Sequence, residues 1–348
     1  MIYLITGGAG FIGSNFLNHF VPKFPEHTFI NIDNLTYAGN LKSLEKVENH
    51  QNYHFRQIDI ANSEEIEQVF KEFQPDRVVH FAAESHVDRS ITGPKKFIET
   101  NIIGTFNLLE MCRKYWSYFE DKLFHHVSTD EVFGTLGKDG FFTEKTPYSP
   151  NSPYSASKAS SDHLVRAYYH TYDLPITITN CSNNYGPLQF PEKLIPLVIQ
   201  NLLKGEIVPI YGKGENVRDW LYVIDHCEAI WTVIENGKRG ETYNIGGNNE
   251  RNNLEVVKSL CQVISNYTGE DVQKYLNLII YVKDRPGHDY RYAIDPTKIQ
   301  NELGWFPTET FDTGLHKTVK WYLENEQWLK SITKDEYQNW INKNYINR

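Results

Sequence analysis

At 348 residues and a net charge of −9, with no run of lysines or arginines, the chain is long enough to bury a large core, and its charge argues against nucleic acid or an anionic membrane as the main partner. Its four cysteines, Cys112, Cys181, Cys227 and Cys261, form neither a close pair nor a metal-ligand spacing, so they read as buried thiols of a reducing, cytoplasmic compartment; nor do the thirteen histidines suggest a metal site. No apolar run reaches bilayer length and the N-terminus lacks a basic region, so neither a membrane span nor a signal peptide is expected.

The first residues, Ile2–Thr6, read as a short buried strand running straight into Gly7-Gly-Ala-Gly10-Phe11-Ile12-Gly13. A strand that turns sharply into a helix needs glycine for the turn, for close approach of backbone to a pyrophosphate, and for tight packing of helix on sheet. The N–H groups of the helix N-terminus then hold phosphate oxygens. By itself the loop also reads as a plain glycine-rich turn. A second apolar strand, Thr28–Ile32, narrows the choice because it ends in Asp33, about twenty positions after Gly13. A carboxylate there accepts hydrogen bonds from adenosine ribose hydroxyls and repels a 2′-phosphate, which favours NAD over NADP.

Further strand-like runs follow at Tyr53–Ile58, Arg77–Phe81, Leu123–Ser128 and Ile176–Cys181, separated by helical patterns at Glu64–Phe73, Lys96–Tyr115 and Ser155–Tyr172. This alternation predicts an α/β fold with a doubly wound parallel sheet of the Rossmann type. His125 and His126, adjacent on one strand, should point to opposite faces and pack against the sheet. Ligand residues of such a sheet sit at the carboxyl ends of strands, where Gly7, Asp33, Asp59, Ala82 to Ser85 and Ser128 to Glu131 fall. From Gly186-Pro187 onward the elements shorten and become rich in proline, glycine and aromatics. The predicted organisation is a dinucleotide-binding domain over residues 1–186 and a smaller substrate lobe over 187–348, with about 223–250 returning to the first domain.

The chemistry concentrates at Thr129-Asp130-Glu131 and at Tyr154-Ser-Ala-Ser-Lys158. A tyrosine and a lysine four apart on a helix share a face, so the ammonium is expected to stabilise a phenolate and draw its pKa down from about 10. Such a tyrosine can take the proton of a sugar hydroxyl while its carbon gives up hydride. Alone, the Tyr-Lys pair is also an ordinary helix-surface pair, and Asp130-Glu131 a solvated turn or helix start. Their order, carboxylates after a parallel strand and ahead of the tyrosine, points to oxidation and elimination in one active site.

Nine ordered segments carry a family resemblance: Thr6-Gly-Gly-Ala-Gly-Phe-Ile-Gly13, Asp33-Asn-Leu-Thr-Tyr-Ala-Gly-Asn40, Phe81-Ala-Ala-Glu-Ser-His-Val-Asp-Arg-Ser90, Ser128-Thr-Asp-Glu-Val-Phe-Gly134, Tyr154-Ser-Ala-Ser-Lys158, Cys181-Ser-Asn-Asn-Tyr-Gly-Pro187, Phe190-Pro-Glu-Lys-Leu-Ile-Pro196, Pro209-Ile-Tyr211 and Arg285-Pro-Gly-His-Asp289. With these the chain resembles the dTDP-glucose 4,6-dehydratases, a sugar-nucleotide dehydratase family of the extended short-chain dehydrogenase/reductase superfamily. The Asn34–Asn40 run and the Thr-Asp-Glu triplet are specific to it, whereas the glycine loop and the Tyr-Lys pair belong to the whole superfamily.

The resemblance implies tightly held NAD contacted by Gly7, Gly10, Phe11, Ile12, Gly13, Asp33, Asn34, Leu35, Thr36, Asp59, Ile60, Ala82, Ala83, Ser85, Thr100, Ser128, Tyr154, Lys158, Cys181 and Asn184. It implies that Tyr154 removes the C4 hydroxyl proton as hydride leaves, that Glu131 takes the C5 proton of the 4-keto sugar, that Asp130 protonates the departing C6 hydroxyl, and that Thr129 helps hold the C4 oxygen. Around the sugar nucleotide it puts Ser85, His86, Thr129, Asn183, Lys193, Leu194, Pro209, Tyr211, Arg218, Asn253, Arg285 and His288. Arg218 and Arg285 suit a pyrophosphate, and Pro209 and Tyr211 border the base. Asn180, Leu188, Lys213 and Tyr290 depart from the usual pattern and leave room for UDP-glucose in place of dTDP-glucose. The family's place is deoxysugar nucleotide biosynthesis of the rhamnose type. A UDP-sugar 4-epimerase would need no paired carboxylates, and a non-enzymatic NAD-sensing protein would need none of the four reactive side chains. Apolar and aromatic residues on the helical runs, among them Phe97, Ile102, Phe106, Leu109, Leu164, Tyr168 and Tyr169, together with the family's habit, predict a homodimer through a four-helix bundle.

Overall fold

The computed structural model describes residues 1–284 and 288–332. Its centre is a seven-stranded sheet in the order β10-β6-β5-β4-β1-β2-β3, made of β1 (Ile2–Thr6), β2 (Thr28–Asp33), β3 (Tyr53–Gln57), β4 (Arg77–His80), β5 (Leu123–Thr129), β6 (Ile176–Cys181) and β10 (Thr242–Ile245). Every neighbouring pair is parallel. Strands β5, β6 and β10 are buried along their whole length, as expected where helices cover both faces of a parallel sheet. The chain runs outward one way from β1 through β2 and β3, and the other way from β4 through β5 and β6. The reversal between β1 and β4 opens a crevice at the carboxyl ends of the strands.

Each face has its own core. Phe16, Leu17 and Phe20 of the helix Phe11–Phe20 and Ile230 and Val233 of the helix Val223–Asn236 pack with Tyr3, Ile5 and Phe29 on one side. On the other, Ile66, Val69 and Phe70, Leu108 and Leu109, and Val165 pack on Leu4, Ile30, Val78 and Phe124. Local signals start and stop these helices. Asn62 accepts from the N–H groups of Glu64 and Glu65, two acids sit in the first turn, and Gln74 ends the helix Ser63–Phe73 in left-handed backbone. The helix Pro153–Tyr172 opens on a capping box between Ser152 and Ser155 with proline at its first position. That cap fixes where Tyr154 and Lys158 begin.

The expected single helix over Lys96–Tyr115 is interrupted: Lys95–Phe97 is followed by a π-helical segment, Ile98–Gly104, before α-helix resumes at Thr105–Tyr115. Such segments widen one turn and redirect side chains. Here Thr105 Oγ1 donates to Asn101 O at 2.6 Å, and a Cβ on Gly104 would come within 2.5 Å of Ile60, so glycine permits the close approach.

The remaining strands form two small sheets: β7 (Asn183–Tyr185), β9 (Val217–Tyr222) and β11 (Glu250–Asn252) in the order β11-β9-β7, and β8 (Val208–Tyr211) beside β12 (Ile279–Val282). Helices Leu194–Lys204, Asn253–Thr268 and Phe311–Glu324 enclose a third core around them. Although it lies between these elements in sequence, after β9 and before β11, β10 pairs with β6 in the main sheet.

Candidate active site

At the mouth of β1, Gly7 takes φ +71, and a Cβ there would stand 2.6 Å from the backbone N and Cα of Ala82. A Cβ on Gly13 would meet the Gly7 carbonyl at 2.4 Å, whereas one on Gly10 would find only that carbonyl, at 3.3 Å, and otherwise point into open space. The helix that starts at Phe11 has no side-chain cap, so its first N–H groups are available to a ligand. These features fit a pyrophosphate cradle. Beyond them, Asp33 Oδ2 accepts from Ala9 N at 2.9 Å and Oδ1 from Leu35 N at 2.8 Å. Burial raises the Asp33 pKa, and those two backbone bonds oppose the rise. Asn34 Nδ2 reaches Asp59 Oδ2 at 2.9 Å. Asn101 binds both backbone groups of Glu84, N at 2.8 Å and O at 3.0 Å, and donates to Ser157 Oγ at 2.8 Å, tying the loop after β4 to the helix of Tyr154.

The reactive groups gather where β5 ends. Thr129 Oγ1 accepts from Glu131 N and donates to Asp130 Oδ1, both at 3.3 Å. Asp130 is 2% exposed, and its Oδ2 has no hydrogen-bond partner among the described residues. Burial pushes its carboxyl well above the usual range, Glu131 pushes it further, and Arg218 opposes. Burial and Glu131 thus favour the neutral, proton-bearing form of Asp130 over its carboxylate.

Tyr154 behaves differently from expectation. Its pKa is raised well above the ordinary value, first by burial, then by Glu131 and Cys181, with a hydrogen bond to Thr129 pulling the other way. Lys158, one turn on and 4% exposed, donates to Val127 O at 2.9 Å. Burial lowers the Lys158 pKa while Asp162 opposes. The sequence rule counted the nearby cation and omitted desolvation, which is the larger effect here.

Asp162 lies a further turn along the same helix face. Its Oδ2 accepts from Ser128 Oγ at 2.9 Å and Tyr148 OH at 2.7 Å, and its Oδ1 is 3.1 Å from His126 Nε2. His126 therefore joins a buried polar network in addition to packing on the sheet; His125, on the opposite face, lies 2.9 Å from Thr177 Oγ1. Asn180 donates to Thr129 O at 3.1 Å, so the backbone carrying the reactive triplet is pinned by a side chain of the neighbouring strand β6.

A cavity of about 310 Å³ is lined by Gly7, Gly10, Phe11, Ile12, Gly13, Asp33, Asn34, Thr36, Asp59, Ile60, Ala82, Ala83, Ser85, Thr100, Ser128, Thr129, Asp130, Glu131, Tyr154, Lys158, Cys181, Asn183, Asn184 and Lys193. Leu35 is not in this lining; it turns through φ 54 and packs on the core. His86 stands at the N-cap position of the helix Val87–Thr92 without a side-chain capping bond, and Leu194 packs against the core of the small sheets. Pro209 and Tyr211 lie on β8. The Tyr211 hydroxyl is 3.5 Å from Asp88 Oδ2 and its ring meets His288 edge-on, while His288 Nδ1 is 2.6 Å from Asp284 Oδ1. Arg218 donates to the carbonyls of Val217, Asp289 and Tyr290 and lies over the Tyr292 ring. Asn253 begins a helix and donates its N–H to Asn216 O. Arg285 lies outside the described residues. The cavity also takes in Glu84, within the stretch Ala82 to Ser85 that the sequence singled out, and Tyr37, Gln189 and Glu192, which sequence reasoning had given no role; a polar or aromatic residue inside a loop motif gives no sign of which way it faces. Among the described residues no group of three or more His, Cys, Asp or Glu is arranged to hold a metal ion, and no helix is long and apolar enough to cross a membrane.

Residues 4–318 match the family model described as GDP-mannose 4,6 dehydratase. The chain is 57% identical to a dTDP-glucose 4,6-dehydratase of Salmonella typhimurium over an alignment of 362 positions spanning all of both chains. A crystal structure of dTDP-glucose 4,6-dehydratase from Bacillus anthracis in complex with NAD superposes with a TM-score of 0.86 at 49% identity, covering 95% of this chain and 99% of that one. The corresponding enzyme of Streptomyces venezuelae, crystallised with NAD, superposes with a TM-score of 0.88 at 45% identity over 95% of this chain and 100% of that one. Full-length identity at this level, joined to a dinucleotide cradle and a buried Asp130 beside Glu131 at the strand end near a tyrosine, makes this chain a member of the GDP-mannose 4,6-dehydratase family and, within it, of the dTDP-glucose 4,6-dehydratases.

Proposed function

We propose that the protein converts dTDP-glucose to dTDP-4-keto-6-deoxyglucose with NAD as a resident cofactor. The observation that carries this reading is the acid pair: Asp130 is buried with a raised pKa beside Glu131, at the strand end facing Tyr154. Elimination of water needs one group that donates a proton and another that takes one, and a shared water-poor pocket is how two carboxyls come to differ.

NAD supplies the acceptor for the C4 hydride and the donor that returns it to C6, and in its oxidised form a positive charge that favours a phenolate. Gly7, Gly10 and Gly13 would leave room for its pyrophosphate, Asp33 would accept from its ribose hydroxyls, and Lys158 and Ser128 would hold its nicotinamide end. Tyr154 takes the C4 hydroxyl proton, assisted by Thr129. The resulting 4-keto group acidifies C5–H, Glu131 removes that proton, and Asp130 protonates the C6 hydroxyl as it leaves. Ser85, Asn183 and Lys193 contact the sugar and phosphates, with Arg218 and Arg285 for the pyrophosphate and Pro209, Tyr211 and His288 near the base. His86, Leu194 and Asn253 complete the substrate shell, and Cys181 and Asn184 the cofactor shell. The chain would work as a cytoplasmic homodimer built on the helical runs 95–115 and 153–172, with residues 1–186 and the returning segment about 223–250 as the cofactor domain and the rest mainly as the substrate lobe.

Parallel incubation with dTDP-glucose and UDP-glucose, followed by NMR of the products, tests the proposal. The 4-keto-6-deoxy sugar should appear, and faster from dTDP-glucose. Conversion of UDP-glucose alone would move the assignment to the uracil nucleotide. A 4-epimerised hexose as the sole product would overturn it.

A further inference from the structure

The loop between Asp33 and Asn40 covers one end of the cavity, and its closure depends on side chains far from it in sequence. Leu35 turns the chain in left-handed backbone at φ 54, and Gly39 N closes a turn on Thr36 O at 3.0 Å. Tyr37 sits at the tip. The Arg89 guanidinium, from the helix Val87–Thr92, lies over the Tyr37 ring at 3.7 Å from its centroid, and Phe190 meets the same ring edge-on at 5.6 Å. Arg89 also donates from Nε and Nη2 to Glu192 Oε2 at 3.2 and 3.1 Å. The Glu192 side chain is 1% exposed, and His86 Nε2 stands 3.8 Å from its other oxygen. The next residue, Lys193, donates to Ser85 O at 3.3 Å. Tyr37, Glu192 and Lys193 all line the cavity.

One guanidinium thus stacks on the loop with its face and holds the Lys193 segment with its edge, a double use that its planar fork permits and an ammonium does not. The Glu192 carboxylate is buried while Arg89 remains 28% exposed, so the ion pair is partly screened from water at its carboxylate end, where charge pairing is stronger than in bulk solvent. A reaction that takes hydride from a sugar and returns it to the same sugar fails if the cofactor leaves in between, so the loop must stay shut for the whole cycle. We propose that Arg89 and Glu192 are positioning residues that latch the cofactor loop, through Tyr37, to the segment carrying Lys193, and so hold NAD in place during turnover. The latch rests on the functional reading above and adds a retention role for two side chains that touch neither reacting carbon.

The test is exchange of isotopically labelled NAD from the purified holoenzyme into an excess of unlabelled NAD, at a temperature where circular dichroism shows every variant folded. Arg89→Ala should release label at least about tenfold faster than the unmodified protein, and Arg89→Lys, which keeps the charge but loses the stack and fork, should fall between them. Glu192→Gln should also release label faster, and if Arg89→Ala does not fold, the lysine and glutamine variants carry the test. Release within about twofold of the unmodified protein in all folded variants overturns the latch, whatever their melting temperatures, because a merely structural pair would shift those alone. Failure of the unmodified holoenzyme to convert dTDP-glucose would instead overturn the functional reading, so the two failures are distinguishable.

Discussion

Asp130→Asn separates the two carboxyl roles most cleanly. The side chain is 2% exposed and accepts from Thr129 Oγ1 at 3.3 Å through Oδ1, while Oδ2 has no partner among the described residues. An amide fits the same space, and because burial raises the native carboxyl's pKa and so favours its neutral form, a neutral amide should perturb the resting electrostatics of the site little. Folding and cofactor retention should be unaffected. What is lost is the proton for the departing C6 hydroxyl, a general-acid contribution of roughly a hundred- to ten-thousand-fold, or about 3–5 kcal/mol on the barrier. Rapid-mixing measurements should show reduced cofactor forming at near the native rate and then persisting. The companion Glu131→Gln should stall at the same stage, but only Asp130→Asn should still exchange C5–H with heavy water before product forms. In the native protein, activity should fall as pH rises through the raised Asp130 pKa, since the acid is then ionised. Overall turnover of Asp130→Asn within about threefold of native, or loss of the oxidation step itself, would refute the assignment.

Three further outcomes follow from other parts of the molecule. In Gly13→Ala the new Cβ would stand 2.4 Å from Gly7 O and 2.7 Å from Gly8 Cα, backbone atoms that must move, so calorimetric titration should find NAD binding abolished or severely weakened; native affinity would contradict the cradle. Burial pushes the His125 and His226 pKa values down to about 3 and that of His126 to about 4. The unfolded chain takes up these protons first, so stability is fully present above about pH 6.5 and should decline toward pH 4 by about 1.4 kcal/mol per pH unit for each imidazole; equal urea midpoints at pH 7 and pH 5 would contradict this. Phe106 is 41% exposed on a helical run that also exposes Ile98 and Ile103, and Phe106→Asp should convert a dimer to a folded monomer by light scattering and circular dichroism, whereas an unaltered dimer would remove this face from the interface.

Most strands of the main sheet were legible because they are largely buried and carry apolar runs that end in a glycine or polar residue at the cavity; β3, with only Tyr53 buried, is the exception among those read, and β10 was legible only as a segment returning to the first domain. Thr129-Asp130-Glu131 was legible for the same reason, standing directly after such a run. The small sheets were not, since β11 and β12 are three and four residues long with no buried position, too short for any period to show. The π-helical turn at Ile98–Gly104 left no mark either, because its apolar spacing differs little from that of a plain helix. Asn101, Asp162, Arg89 and Glu192 were missed for a common cause. On a helix or loop a polar residue reads as surface, and each of these is covered by partners from other segments of the chain. Only the folded arrangement reveals that, just as only burial reveals that Tyr154 is pushed up where the sequence rule expected it to be drawn down.

In the proposed reaction one site oxidises at C4, eliminates across C5 and C6, and returns the same hydride to C6. The most direct measurement follows dTDP-glucose deuterated at C4, with the product analysed by NMR and mass spectrometry, alongside unlabelled substrate in heavy water. The C4 deuterium should appear at C6 of the same molecule, and solvent deuterium should enter at C5. Label returned only to C4, with C5 unexchanged, would contradict the proposed reaction and identify one that inverts C4 and goes no further.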